Sequence, residues 1–131
     1  MREARDAADV AIVGGGPAGL ALAAHAARRG LDVVLFDRAA LPADKACGEG
    51  ILPGGVRALE ALGVRELLSA DDFAPLRGIR WVEEDGSAAD ALLPDGGGWG
   101  VRRTALARAL LHRAVESGAR IHQREAVRSH R

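Results

Sequence analysis

A glycine-rich turn near the start of the chain separates a segment that predicts a strand from one that predicts a helix. Residues 10–13, with the sequence VAIV, form a short apolar run that is typical of a strand buried in a parallel sheet. The turn GGGPAG occupies residues 14–19 directly after it. Alanine and leucine dominate residues 17–29, which predicts a helix that begins inside the turn. The order of strand, turn and helix indicates the start of an α/β unit.

The glycines of this turn stand where an approaching phosphate needs space. Gly14 permits the tight turn, and Gly16 has no Cβ that would keep a pyrophosphate away from the backbone. Gly19 lets the helix pack closely on the strand. The helix begins at Pro17 and Ala18, and its N-terminus directs free N–H groups and the positive end of the helix dipole towards a bound phosphate. We therefore expect these residues to bind the phosphates of a dinucleotide.

A second predicted strand ends in an acidic residue. Gly30 stands where a glycine commonly ends a helix, and the mostly apolar residues 31–36 follow it. Asp37 comes next, 18 residues beyond Gly19. An acid about 20 residues beyond the glycine turn accepts a hydrogen bond from a ribose hydroxyl in dinucleotide-binding units. The pattern predicts dinucleotide binding, and the alternative is a glycine-rich loop without a ligand.

The rest of the chain predicts short elements of alternating type. A polar loop covers residues 38–50, and it is either an ordinary surface connection or a cofactor-binding loop. The further predicted elements are a helix at residues 54–62, one more turn at 64–69, a connection at 71–78, strands at 79–83 and 87–93, a flexible glycine segment at 95–98, a helix that starts near Thr104 and ends at Gly118, and a strand at 119–123.

This order of elements indicates an α/β domain with a Rossmann-like, partly parallel sheet and an inserted antiparallel hairpin at residues 79–93. The charged residues 1–8 are expected to form a flexible N-terminal extension. The last predicted helix should bury one side, formed by Leu106, Leu110, Leu111 and Val115.

The composition limits the classes of partner and environment. The chain has 131 residues, enough for one domain with a modest core. Lys plus Arg and Asp plus Glu each number 18, so we expect no nucleic-acid partner. No apolar run approaches a transmembrane length, so we expect no stable membrane insertion. Cys47 is the single cysteine, which suits a reducing, cytoplasmic environment.

Three segments together resemble flavin-dependent oxidoreductases. They are GGGPAGLALAAHAARRGLDVVLFD at residues 14–37, DKACGEGILPGGVRALEALGV at 44–64 and GVRRTALARALLHRA at 100–114. The resemblance is to the p-hydroxybenzoate-hydroxylase-like group, which includes aromatic-ring hydroxylases, geranylgeranyl reductases and flavin-dependent halogenases. It extends over residues 9–123 and implies a Rossmann-like fold that binds FAD, with the pyrophosphate over the glycine turn and the ribose on Asp37.

The resemblance also implies cofactor contacts outside the glycine turn. Arg38 matches a basic residue beside the adenosine, and Lys45, Cys47 and Gly48 match the loop that passes the pyrophosphate and approaches the flavin. Arg103 matches a position whose side chain reaches the cofactor in many relatives. The alternative for Arg103 is a solvated cation at a helix start, where the helix dipole disfavours it, so a nearby phosphate is the better explanation.

The chemistry that the resemblance implies belongs to a larger enzyme, because relatives continue well past this length. We therefore expect this chain to be a truncated portion that is inactive as an enzyme on its own. NAD(P)H would reduce the flavin. The reduced flavin would then hydroxylate a small-molecule substrate with oxygen or reduce it at an alkene. The segment CGEG favours the second reaction, which is typical of the geranylgeranyl-reductase branch. We assign no catalytic residue and no metal site, since the four histidines lack metal-ligand spacing. The alternatives are an NAD-dependent dehydrogenase with the same Rossmann unit and a non-catalytic nucleotide-binding fragment.

Overall fold

The computed structural model describes residues 7–45 and 48–129. The strands are β1 (Val10–Val13), β2 (Val33–Asp37), β3 (Gly50–Ile51), β4 (Phe73–Leu76), β5 (Gly78–Val82), β6 (Ala88–Leu92), β7 (Gly98–Val101) and β8 (Arg120–Gln123). The helices are α1 (Pro17–Arg28), α2 (Pro53–Ala61) and α3 (Arg103–Glu116), with a 3-10 turn at Arg65–Leu67. Every predicted helix and strand is present, with its ends within two residues of the prediction.

The first sheet is parallel and has the strand order β1-β2-β8. Its central strand pairs on both sides, with Val33 opposite Val10 and Leu35 opposite Ile121. α1 packs against this sheet and against α3. The predicted Rossmann-like α/β fold is therefore confirmed. Because the three strands are parallel, their carboxyl ends meet at one edge, which is where open α/β sheets bind ligands.

The core lies between the first sheet and the helices. Leu20 of α1, Leu35 of β2 and Leu110 of α3 are fully buried there. The buried side of α3 repeats at intervals of four residues, so Ala114 follows Leu110 into the core. Val115, which was expected on that side, is exposed because the next helical residue is rotated by about 100°.

A second, antiparallel sheet with the order β3-β7-β4 does not follow from the sequence patterns. The predicted connection at residues 71–78 is wrong, because β4 lies within it and pairs with β7. Pro75 belongs to β4 and stands opposite Trp99. Proline is tolerated in this strand because β4 is at the edge of the sheet, where a missing N–H leaves no ladder bond unmade.

The prediction of a flexible segment at residues 95–98 is wrong at its last residue. Gly98 begins β7 and is buried. A Cβ at position 98 would collide with the carbonyl oxygen of Ile51 on β3. The glycine in β7 therefore reflects the close approach of another strand rather than flexibility.

The predicted hairpin is confirmed as β5 and β6, which form a separate two-stranded sheet. Arg80 and Asp90 face each other across it and form two hydrogen bonds of 2.6 and 2.8 Å. Ile79 and Trp81 alternate with Arg80, so they lie on the other face, and both are exposed. The hairpin thus presents the Arg80–Asp90 ion pair on one face and the exposed Ile79 and Trp81 on the other.

Candidate cofactor site

The glycine turn joins β1 to α1 in the way the sequence predicts. Gly14 has a φ of +108°, and its N–H donates a 2.8 Å hydrogen bond to the carbonyl of Phe36 in β2. A Cβ at Gly19 would overlap the carbonyl oxygen of Gly14, so α1 can lie this close to the turn only with glycine there. Gly16 is different, because no heavy atom lies within 4 Å of the position its Cβ would take. The turn is therefore tight on its inner side and open beside Gly16.

No side chain among the described residues caps the N-terminus of α1, whose N-cap is Gly16. The first turn also contains no acidic residue. The N–H groups at the start of a helix have no acceptor inside it, so those of Ala18 and Gly19 remain available after Pro17, which has none. Together with the helix dipole, these groups favour an anion beside the open space at Gly16.

Asp37 ends β2 and is tied to the glycine turn. Its Oδ2 accepts a 2.6 Å hydrogen bond from the N–H of Gly15, and its Oδ1 accepts a 2.8 Å bond from the N–H of Ala39. The Ala39 N–H is the main cause that lowers the pKa of the Asp37 carboxyl from its usual value, aided by the Gly15 N–H, Lys45 and Arg38 against the effect of burial. The side chain is only 4% exposed. This carboxylate is ionised at neutral pH and holds the turn in place.

The loop after β2 lies over the glycine turn. A Cβ at Gly15 would come within 2.5 Å of Cδ1 of Leu41, which covers the turn from outside. The N–H of Leu41 donates a 2.7 Å hydrogen bond to Oε1 of Gln123, which anchors this loop to the end of β8. Lys45 approaches Asp37 with 3.8 Å between Nζ and Oδ2, and 60% of its side chain is exposed. The loop therefore brings a solvent-accessible cation to the carboxyl edge of the sheet.

A cavity of about 200 Å³ opens at this edge. Four of the predicted site residues line it, namely Gly14, Asp37, Arg38 and Lys45. Two of them are cations, which surround the only buried polar side chain in the described part of the chain, that of Asp37. The cavity therefore combines a fixed carboxylate with accessible positive charge.

Five further residues that the motif does not predict line this cavity: Val13, Phe36, Glu125, Ala126 and Val127. The last three follow β8 and are held in place by a 3.0 Å hydrogen bond from the N–H of Glu125 to the carbonyl of Asp37. Residues that follow a parallel strand paired with β2 must lie at the same edge of the sheet. The strand pairing is therefore what would predict these three residues. The sequence predicted the strand at 119–123 but not which strand it would join.

Arg103 lies at the first position of α3, where its guanidinium contacts two carboxylates. Nε donates a 2.5 Å hydrogen bond to Oδ1 of Asp44, and Nη1 donates a 3.1 Å bond to Oε1 of Glu49. The side-chain bond to Asp44 is the main cause that raises the pKa of Arg103 above its ordinary value. The dipole argument predicts a phosphate beside this cation, but in the structure Asp44 and Glu49 supply the negative charge.

A larger cavity, of about 480 Å³, runs along the second sheet. Gly48 and Glu49 line one part of it, and Asp71, Asp72 and Arg102 line another. The Ser69 N–H is the main cause that lowers the pKa of Asp72, so this carboxyl is ionised at neutral pH. Phosphate is less suited to this cavity, because its carboxylates outnumber its cations.

Two predicted features fall wholly or partly outside the part of the chain that the structure describes. Cys47 lies outside the described residues, as do positions 1–6 of the expected N-terminal extension. Within the described ranges, no group of three or more His, Cys, Asp or Glu side chains is arranged to hold a metal ion. None of the helices in the same ranges is both long enough and apolar enough to cross a bilayer.

Comparison with known proteins identifies the class to which this fold and edge site belong. The family model described as FAD binding domain matches residues 7–131. Menaquinone reductase of Mycobacterium tuberculosis is 49% identical over 75 residues, which cover 57% of this chain and 18% of that protein. Digeranylgeranylglycerophospholipid reductase 1 of Methanopyrus kandleri is 34% identical over 131 residues, covering 91% of this chain and 31% of that protein.

Among solved structures, the myxobacterial chondrochloren halogenase CndH, an FAD-dependent halogenase, superposes with a TM-score of 0.74 at 28% identity. The match covers 89% of this chain and 28% of that one. The chain therefore belongs to the FAD-binding-domain family, and its resemblance to flavin-dependent oxidoreductases is confirmed. It spans less than a third of the length of the relatives and of the structure described here.

Proposed function

We propose that this chain is the FAD-binding portion of a flavin-dependent oxidoreductase and that it binds the ADP half of FAD at the carboxyl edge of the parallel sheet. The observation that carries this proposal is the 200 Å³ cavity in which Gly14, Asp37, Arg38 and Lys45 converge. Family membership supports FAD as the ligand, and the edge position is where such sheets bind nucleotides.

The glycine turn fits a pyrophosphate on three grounds. The space beside Gly16 is open, the N-terminus of α1 lacks a side-chain cap, and no acid lies in its first turn. The proposed ligands are the N–H groups of Ala18 and Gly19, with Lys45 as a counter-ion. Arg38, which lines the same cavity, is proposed to lie beside the adenosine.

Asp37 is proposed to accept a hydrogen bond from the ribose while it holds the glycine turn in place. Each carboxylate oxygen already accepts one backbone N–H, and each has a second lone pair that a hydroxyl can use. Since Asp37 lines the cavity, a ribose hydroxyl is the donor that we propose for it. Gly48, Cys47 and Arg103 remain proposed contacts for the flavin end.

The proposed reaction class is reduction of an alkene in a small-molecule substrate, with NAD(P)H as the reductant. When bound, FAD supplies the hydride chemistry. Both relatives described above are named as reductases, which supports reduction as the reaction class, whereas the matched solved structure is a halogenase. The exposed apolar face of the hairpin, with Ile79 and Trp81, is proposed to be the start of a substrate-facing sheet.

The test is a direct comparison of cofactors on the purified chain. We expect saturable quenching of FAD fluorescence on titration with protein, competition by ADP, and no comparable binding of NAD⁺. Binding of NAD⁺ with no binding of FAD would instead support the dehydrogenase alternative. Absence of binding to FAD, ADP and NAD⁺ would contradict the assignment of the site. Reduction of the bound flavin by NADPH or NADH, followed anaerobically by loss of its visible absorbance, tests the reductant separately.

A further inference from the structure

Charged side chains of alternating sign link the glycine turn to the N-terminus of α3. Asp37, which holds the Gly15 N–H, lies 3.8 Å from Lys45. The neighbouring residue Asp44 forms a 2.5 Å contact with Arg103, and Arg103 in turn contacts Glu49 at 3.1 Å. These contacts hold Lys45 at the parallel sheet and hold Asp44 and Glu49 at the start of α3.

Glu49 makes three separate contacts at the start of α3. Its Oε1 accepts a 3.0 Å hydrogen bond from the backbone N–H of Arg103 as well as the bond from Nη1 of the same residue. Its carbonyl oxygen accepts a 2.7 Å bond from the N–H of Val101. Arg102, the N-cap residue, makes no side-chain cap bond. Glu49 therefore supplies from another segment the cap that α3 lacks, and its carboxylate suits the positive end of the helix dipole.

The backbone at Glu49 supports a dedicated role for this side chain. Its φ is +57°, which lies in the left-handed region that a residue with a Cβ seldom adopts. The flanking positions are Gly48 and Gly50, either of which could take that conformation more easily. A carboxylate stands at the strained position instead, where it meets both the N–H and the guanidinium of Arg103.

The exposure of the Arg103 and Glu49 side chains limits what their contacts contribute to stability. The Arg103 and Glu49 side chains are each 40% exposed, and exposed ion pairs contribute little to the free energy of unfolding. A set of several contacts can still fix one orientation of a long side chain. Only two of the guanidinium N–H donors are used in the bonds to Asp44 and Glu49, and a guanidinium has several more.

We propose that Glu49 is a positioning residue: together with Asp44 it fixes the Arg103 guanidinium in the orientation that receives the cofactor. The inference rests on the proposed FAD site and extends it to a residue that contacts no part of the glycine turn. Its physical benefit is preorganisation, since an arginine side chain that is already ordered loses less entropy when the cofactor binds.

The test measures FAD affinity by fluorescence quenching for the wild-type chain and for Glu49→Ala, Glu49→Gln and Glu84→Gln. Glu49→Ala removes both the cap and the ion pair, and we expect it to weaken FAD binding by about tenfold. Glu49→Gln keeps an acceptor for the Arg103 N–H, so we expect a loss of about threefold. Glu84→Gln, in the exposed turn of the hairpin, removes the same charge elsewhere and should leave the affinity unchanged.

A double-mutant cycle separates positioning from a general loss of stability. If Glu49 acts through Arg103, Glu49→Gln should lower the FAD affinity of an Arg103→Gln chain much less than that of the wild-type chain. Additive losses would overturn the proposal, as would a Glu49→Ala chain that binds FAD as tightly as wild type or more tightly. Failure of the wild-type chain to bind FAD at all is a different result, which would refute the proposed function itself.

Discussion

Replacement of Asp37 by asparagine tests the connection between β2 and the glycine turn. In the wild-type chain both carboxylate oxygens accept backbone N–H groups, from Gly15 at 2.6 Å and from Ala39 at 2.8 Å. Asparagine has the same shape, but one of its two terminal groups is an NH₂ that donates rather than accepts. One backbone N–H must therefore face another donor in a site that is almost fully buried.

The expected loss follows from these two bonds. Leaving one buried donor without an acceptor costs about 1–3 kcal/mol of unfolding free energy. With a loss of about 2 kcal/mol and an m-value of about 2 kcal/mol/M, the urea midpoint should fall by about 1 M. Trp99 is a suitable probe because it is 9% exposed in the folded chain, whereas Trp81 is already 67% exposed and should respond less to unfolding.

The pH dependence gives the same prediction a second test. Because the folded-state pKa of Asp37 lies below its unfolded value of about 3.9, its stabilisation is complete above that value and is lost as the pH falls through the folded pKa. The difference between wild type and Asp37→Asn should therefore be constant near neutral pH and shrink as the pH falls below about 3.9. Asp71→Asn, at an exposed carboxylate, is the control. Equal urea midpoints for wild type and Asp37→Asn at pH 7 would refute the reasoning.

Two further substitutions test the packing of the fold. Gly19→Ala places a Cβ against the Gly14 carbonyl and should lower the melting temperature. Gly16→Ala is the control, because the position beside Gly16 is open, and it should leave the melting temperature unchanged. Equal melting temperatures for the two variants would refute the close approach of α1 to the turn. Leu110→Ala removes a fully buried side chain and should cost about 2–5 kcal/mol in urea unfolding. Val115→Ala, on the exposed side of the same helix, should change stability by less than about 0.5 kcal/mol, and a similar loss in both variants would contradict the assigned buried side.

The parallel half of the fold could be predicted because its signals are local. The apolar run at residues 10–13, the glycine turn and the periodic helices each define an element without reference to distant residues. The second sheet could not be predicted in this way. Its strand β7 contains glycine because Ile51 approaches it closely, and its strand β4 contains Pro75 because it lies at an edge. Both properties are set by tertiary pairing, and in the sequence alone they indicate loops.

The same distinction applies to the cavity. Gly14 and Asp37 follow from the motif and its spacing, and both line it. Glu125, Ala126 and Val127 line it only because β8 pairs with β2, which local patterns do not determine. The contact of Arg103 with Asp44 and Glu49 joins residues more than fifty positions apart, and no spacing rule connects them.

The central claim is that the glycine turn receives the pyrophosphate of FAD, and Gly16→Val tests it most directly. The position beside Gly16 is open, so the variant should keep the fold, with an unchanged circular dichroism spectrum, while its side chain fills the space that the phosphate needs. Calorimetric titration with FAD should show saturable binding to the wild-type chain and no detectable binding to Gly16→Val. A folded Gly16→Val chain that binds FAD with wild-type affinity would contradict the placement of the cofactor.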